Sequence, residues 1–274
     1  MKQMTVGELK QVELDILSYT ADFCKKHGLI YFLAYGTLIG AVRHKGFIPW
    51  DDDVDIWMPR RDYNKLAEIF NKNTLNQPYS LISPTNPKAR HAIIKIIDTR
   101  TVKIENSVNY KTGYLGVDID VFPLDGEPED EKAFFRWYKK LYRKYQQYAY
   151  LIIKAKITNR SFLYTNLYKL LGFSKEKIIK TTAKMHDAFP YDTSRFVGTV
   201  ECAYNSVKNR FKKEWFEHQA FLEFENREFA VPAEYDEILR QLYGDYMELP
   251  PREQQVTHHG NINFWLEERD YEKI

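Results

Sequence analysis

The residues able to do chemistry in this chain crowd between positions 36 and 55. Gly36-Thr37 is followed by Asp51, Asp52, Asp53 and Asp55. Four carboxylates within five positions repel one another at neutral pH and persist in a fold only where cations or solvent screen them. Val54 to Met58 reads as a strand stopped by Pro59. On a strand Asp53 and Asp55 point to one face, Trp57 is expected to join them, and Val54, Ile56 and Met58 pack behind. Two hard oxygen donors on one edge suit Mg2+ or Mn2+, which keep waters and then take up substrate phosphates. The competing reading is a solvated acidic turn. An EF-hand is excluded, because the sixth position carries no glycine and the twelfth no glutamate.

Two further features belong to the same chemistry. Gly36-Thr37 ends one strand and opens a helix, where backbone N–H groups and a hydroxyl can hold an anion and a glycine lets phosphate come close. The segment Gly116-Val117-Asp118-Ile119-Asp120-Val121-Phe122-Pro123 is a second acidic strand. Asp118 and Asp120 share a face by alternation, among apolar residues, where a carboxylate is costly unless paired or metal-bound. Arg43 and His44 stand between the turn and the aspartates. The Arg43 guanidinium suits either a fork onto phosphate oxygens or a salt bridge to the same aspartates. Lys95, on a strand, either reaches a phosphate or snorkels outward.

The elements that must position these groups follow from periodicity. Thr5 and Glu8 form a capping-box pattern, and Leu9, Val12, Ile16, Tyr19 and Phe23 repeat at helical spacing until Gly28 stops the run. Residues 29–36 read as a strand, 37–44 as a short helix and 60–71 as a helix. Strands are expected at 79–83, 91–98, 101–106 and 115–122, with Thr99-Arg100 as a hairpin turn between two of them. From Glu129 to about Met185 the period is helical, with breaks near 158–161 and 172–174, and a further helix is expected at 232–243 with Gly244 as its stop. The fold class is therefore α+β, a mixed sheet with helices, followed by a largely helical second half. A soft boundary near 128 separates a catalytic core, 1–128, from a part, 129–274, that completes the site.

Composition narrows the function classes. The 274 residues, 44% of them hydrophobic, can bury a real core, and 28% charged residues argue against a low-complexity scaffold. A net charge of +2 argues against a general polyanion binder. Cys24 and Cys202 share no ligand spacing, so a reduced, cytoplasmic setting is expected. No run is long and apolar enough for a signal core or a bilayer span. Residues 136–184 hold thirteen Lys or Arg against one acid, Glu176, with tyrosines interleaved. That section reads either as a solvated face over an aromatic core or as a peripheral surface for anionic membrane, where bases meet headgroups. Single-stranded nucleic acid is a third reading of bases among aromatics.

The stretch YGTLIGAVRHKGFIPWDDDVDIWMPRRDY strongly resembles the LicD family of phosphocholine transferases, which includes a fukutin-related branch. Lys95-Ile96-Ile97-Asp98, the IDVFPLD of 119–125 and Tyr243-Gly244-Asp245-Tyr246-Met247 extend the resemblance from about residue 10 to 260. It implies a nucleotidyltransferase-like core that takes a CDP-linked alcohol, typically CDP-choline. The phosphorylated alcohol is passed to a sugar hydroxyl of a glycan or lipid-linked glycan, such as a teichoic-acid or lipopolysaccharide precursor, with release of CMP. By motif match Gly36 and Thr37 would hold donor phosphates, and Asp53 and Asp55 a divalent metal, with Asp51 as a further ligand. Asp120 would be the third carboxylate, as catalytic base or metal ligand, in preference to Asp118. The resemblance disfavours nucleic acid. A choline head wants an aromatic cage, for which Trp50, Trp57, Tyr35, Tyr243 and Tyr246 are candidates. CDP-ethanolamine, CDP-glycerol or CDP-ribitol are the alternative donors, a plain nucleotidyltransferase is an alternative reaction, and a binding module on a dead core is the rival outside catalysis. His258-His259 reads as a surface loop.

Overall fold

A computed structural model describes residues 2–86, 89, 91–105, 115–152, 166–168, 170–200, 208–257 and 261–266. A two-residue strand, β1 (Lys2–Gln3), precedes helix α1 (Val6–His27). Its start is the expected capping box: the Thr5 side chain accepts from the Glu8 N–H, and Glu8 accepts from the Thr5 N–H. Gly28 closes it at φ 64°, a left-handed conformation that glycine adopts without a Cβ clash. Val12, Ile16, Leu17, Phe23 and Cys24 bury its inner face.

After α1 the chain makes β2 (Phe32–Leu33), much shorter than the strand expected over 29–36. Helix α2 (Tyr35–Ile39) begins with Tyr35 at φ 44° and continues as a wider π turn through Gly40–His44. Then come β3 (Asp55–Pro59) and α3 (Arg60–Asn73), which buries Tyr63, Leu66 and Phe70. Strands β4 (Tyr79–Ile82), β5 (Ile94–Asp98), β6 (Thr101–Glu105) and β7 (Asp118–Glu127) follow. The central sheet runs β2-β3-β7-β5-β4. Within it only β3 and β7 are parallel, with Asp55 opposite Asp120 and Ile56 opposite Val121. Their inner positions read as apolar runs because helices cover the sheet.

One expectation is corrected here. Thr99-Arg100 does form the turn between β5 and β6, and Asp98 Oδ1 accepts the Arg100 N–H at 2.8 Å. The two strands nevertheless do not pair with each other. β5 stays between β4 and β7, while β6 joins β12 (Asn261–Trp265) and β1 in a separate three-stranded sheet. Local turn chemistry fixed the turn, and long-range pairing chose the partners.

The second half contains the expected helices α4 (Glu131–Ile152) and α5 (Lys175–Asp187), and a shorter α6 (Tyr235–Tyr243). Pro232 ends a strand instead of opening α6. Strands also occur here: β8 (Phe196–Gly198), β9 (Arg210–Lys212), β10 (Gln219–Phe224) and β11 (Arg227–Pro232). β8 pairs with the far end of β7, so the central sheet runs past residue 128. The β10–β11 hairpin turns at Glu225-Asn226, both at positive φ, the two-residue geometry that matches strand twist.

A buried ion cluster joins the two halves at the start of α3. Arg60 forks onto Asp125 of β7 at 2.6 and 2.5 Å, and His186 of α5 lies 3.1 Å from the same carboxylate. Burial alone would raise the Asp125 carboxyl, but Arg60 first and His186 second hold it below the usual range. Asp125 therefore contributes stability that is present above the unfolded carboxylate range and is lost as pH falls through its depressed folded value. Arg60→Ala should destabilise by about 3–5 kcal/mol, since it leaves a buried carboxylate without its main partner. It should also move the acid end of the stability curve to higher pH. Chemical denaturation from pH 7 down to pH 3 checks both, and a variant as stable as the parent at neutral pH would contradict the assignment.

Candidate active site

The sequence-predicted acids are delivered to one place by three devices. Loop 45–50, which leads into the aspartates, is pinned by Lys10 of α1, whose Nζ donates to Ile48 O at 3.0 Å and Pro49 O at 3.2 Å. The hairpin tip holds the same loop: Glu225 accepts from the Phe47 N–H at 3.0 Å and donates its own N–H to Lys45 O at 2.9 Å. Gly46 lies so near the Glu225 carboxylate that a Cβ would fall 2.3 Å from Oε1. The third device is sheet register. Asp55 and Asp120 are direct neighbours on parallel strands, about 4.8 Å apart at that strand spacing.

Gly36 and Thr37 serve this arrangement. A Cβ on residue 36 would sit 2.4 Å from Asp51 Oδ2, so the glycine makes a cradle that a carboxylate already fills. The Thr37 hydroxyl accepts the Asp55 N–H at 2.9 Å and so ties the start of α2 to the start of β3. Asp55 is pushed well above the usual carboxylate range, by burial first and then by Asp53, Asp120 and Asp51, with Lys95 opposing. Val54, Ile56 and Met58 are buried behind it, as expected.

Lys95 does not snorkel outward. It is 6% exposed, and its Nζ donates to Asp118 Oδ2 at 2.5 Å and to Asp120 Oδ1. Lys103 reaches from β6 to the other Asp118 oxygen at 2.7 Å. The two acids of this strand are thereby separated in role. Burial would raise Asp118, but Lys103 and Lys95 outweigh it and hold its carboxyl far below the usual range. Asp120 is raised, by burial first, and its side chain keeps 27% of its exposure. Burial pulls on Lys95 as well, yet Asp118 and Asp120 outweigh it and keep the ammonium charged.

Several candidates lie elsewhere than expected. Arg43 pairs with neither phosphate-turn atoms nor aspartates: its guanidinium donates to Tyr246 O at 2.5 Å and Glu248 O at 3.2 Å, clamping the C-terminal loop. Tyr246 is buried, and its hydroxyl donates to Asp236 at 2.6 Å. Trp57, expected beside the aspartates, is fully buried against Tyr35, Phe211 and Phe216 and is core instead of cage. Trp50 is half-buried, with its ring 6.3 Å from His44. Tyr243 is 45% exposed. His258-His259 lies outside the described residues.

Glu13 was not singled out from the sequence. It sits one residue from Val12 on the buried face of α1, 2% exposed, and its Oε2 finds no hydrogen-bond partner among the described residues. Burial pushes its carboxyl well up; Lys103 opposes, while Asp53, Asp118 and Asp52 add to the rise. A buried glutamate inside an otherwise apolar stripe is the signal that would have found it. His91 is a second missed neighbour, pushed down to about 3 by burial and then by Lys95.

The donor set is all oxygen, with mutual repulsion that a hard divalent cation would relieve, so the residues fit Mg2+ or Mn2+ by chemistry. Among the described residues no three carboxylate, imidazole or thiolate groups converge tightly enough to hold an ion in the present arrangement.

Residues 28–148 match the family model described as LicD/FKTN/FKRP, nucleotidyltransferase domain. The chain is 34% identical over 267 residues to the lipopolysaccharide cholinephosphotransferase LicD of Haemophilus influenzae, covering 94% of this chain and 97% of that protein. An uncharacterized protein of Rickettsia typhi is 38% identical over 70 residues, 25% of this chain and 23% of its own. Mannosyltransferase regulator 4 of Saccharomyces cerevisiae is 29% identical over 98 residues, 36% of this chain and 8% of the yeast protein. Likeness along nearly the whole chain, with the acidic strands inside the matched region, defines an enzyme of the transferase class. The chain belongs to the LicD family.

The lysine pairing separates Asp118 from Asp120 experimentally. Asp118→Asn leaves two buried ammonium groups short of a partner and should cost about 3–5 kcal/mol of stability. Asp120→Asn should keep the fold within about 1 kcal/mol, because Lys95 retains Asp118, and should lower turnover by orders of magnitude. Denaturant melts and activity on both purified variants check this, and the reverse ordering in stability would contradict it.

Proposed function

We propose that the enzyme moves phosphocholine from CDP-choline to a sugar hydroxyl of a lipopolysaccharide or related envelope glycan and releases CMP. The observation that carries this reading is likeness over 94% of the chain to a protein named a lipopolysaccharide cholinephosphotransferase, with Asp55 and Asp120 side by side on parallel strands. Phosphoryl transfer needs neutralised pyrophosphate charge, an in-line acceptor and a place for the acceptor proton. Asp53 and Asp55, with Asp51, are the residues to hold Mg2+ or Mn2+, which when bound would offset negative charge on the diphosphate. Gly36 and Thr37 support these ligands, the glycine cradling Asp51 and the threonine hydroxyl holding the Asp55 N–H. Asp120, partly exposed and raised above the usual range, is suited to accept the hydroxyl proton. Transfer of phosphocholine breaks the bond from the choline-side phosphorus to the bridging oxygen, which leaves with CMP. Half-buried Trp50 is the aromatic nearest in sequence to the aspartates for a choline head.

A peripheral contact with anionic membrane, on the inner face of the cytoplasmic membrane, accompanies this reading. Among the described residues no helix is long and apolar enough to cross a bilayer. Leu170 and Leu171, in the basic section, are 84% and 62% exposed. Leucines among bases fit an interface at headgroup level. Co-sedimentation with anionic vesicles that fails at low salt, or equals that with neutral vesicles, rules the contact out.

The transfer reading is tested by CMP release. Purified protein with Mn2+, CDP-choline and an oligosaccharide acceptor should release CMP. Excess chelator or Asp53→Asn should reduce that by orders of magnitude without loss of fold. Equal release from CDP-ethanolamine, CDP-glycerol or CDP-ribitol would move the donor assignment, and pyrophosphate release from CTP would replace the reaction by a plain nucleotidyl transfer.

A further inference from the structure

We propose that the ammonium of Lys95 stands where a second divalent ion would bind, so that the site takes one divalent cation per chain, held on the Asp53 and Asp55 side. This rests on the reading of the aspartates as a divalent-cation site. Lys95 is an inner-face residue of β5, directly opposite Asp120 in the antiparallel register with β7. Its Nζ bridges the two acids of β7, Asp118 and Asp120. Lys103, from the second sheet, takes the remaining oxygen of Asp118. Both Asp118 oxygens are therefore occupied by ammonium groups, and one of the two Asp120 oxygens is as well.

A second divalent ion on the β7 acids would have to expel a buried ammonium or lie in repulsive contact with it.

The test counts bound metal on the full-length protein. Mn2+ is titrated by equilibrium dialysis, with and without CDP-choline and without acceptor, and electron paramagnetic resonance distinguishes isolated from coupled ions. Wild type should bind one Mn2+ with the spectrum of an isolated ion. Lys95→Met should bind a second, magnetically coupled Mn2+, and Lys95→Arg should return to one. Two coupled ions in the wild type, or a single ion in a folded Lys95→Met, would overturn the proposal while leaving metal-assisted transfer intact. No Mn2+ on the wild type would overturn it together with the metal reading. Where Lys95→Met fails to fold by circular dichroism, the wild-type count decides alone.

Discussion

Carboxylate repulsion is the constraint around which this structure is arranged. Asp55 and Asp120 are fixed side by side by the parallel pairing of β3 and β7, with Asp51 and Asp53 just upstream. An arrangement of this kind is unfavourable unless positive charge stands near it. The protein supplies part of that charge itself, through Lys95 and Lys103 on the acids of β7.

The rest of the fold holds the acidic loop in this state. Lys10 on α1 and Glu225 at the hairpin tip grip loop 45–50 from two distant parts of the chain. Arg43 fastens the C-terminal loop to the π turn that follows α2. Arg60, Asp125 and His186 bind α3, β7 and α5 together at the opposite end of β7. Each contact joins segments far apart in sequence, so the site depends on both halves of the chain. Preorganisation of this kind is what an acidic site needs, since loose carboxylates would move apart.

Much of this was legible in the sequence where the signal is local. The Thr5 capping box, the Gly28 stop, the strand around Asp55 and the acid pair on β7 all follow from spacing of a few residues. What was hidden depended on pairing over long distances. The alternation that puts Lys95 on a strand says nothing of whether its ammonium meets water or Asp118. β6 carries a turn signal that suits a hairpin, yet its partner is β12, more than 150 residues away. Strands β8 to β11 fall between the two helical stretches read from the sequence, at 129–185 and 232–243, and their sheet role emerges from contact with β7 and each other. Trp57 keeps its strand position two residues from Asp55, but its ring fills the core against Phe211 and Phe216, which the sequence cannot bring near.

Membership of the LicD family and the paired acidic strands leave one chemical question above the others: which phosphorus of the donor is attacked. Two samples of CDP-choline answer it, one labelled with 32P on the choline-side phosphate and one on the nucleotide-side phosphate, each incubated with the enzyme, Mn2+ and an oligosaccharide acceptor. The account predicts that the choline-side label passes to the glycan and the nucleotide-side label stays in CMP. Appearance of the nucleotide-side label on the acceptor, with free phosphocholine as the other product, would contradict it.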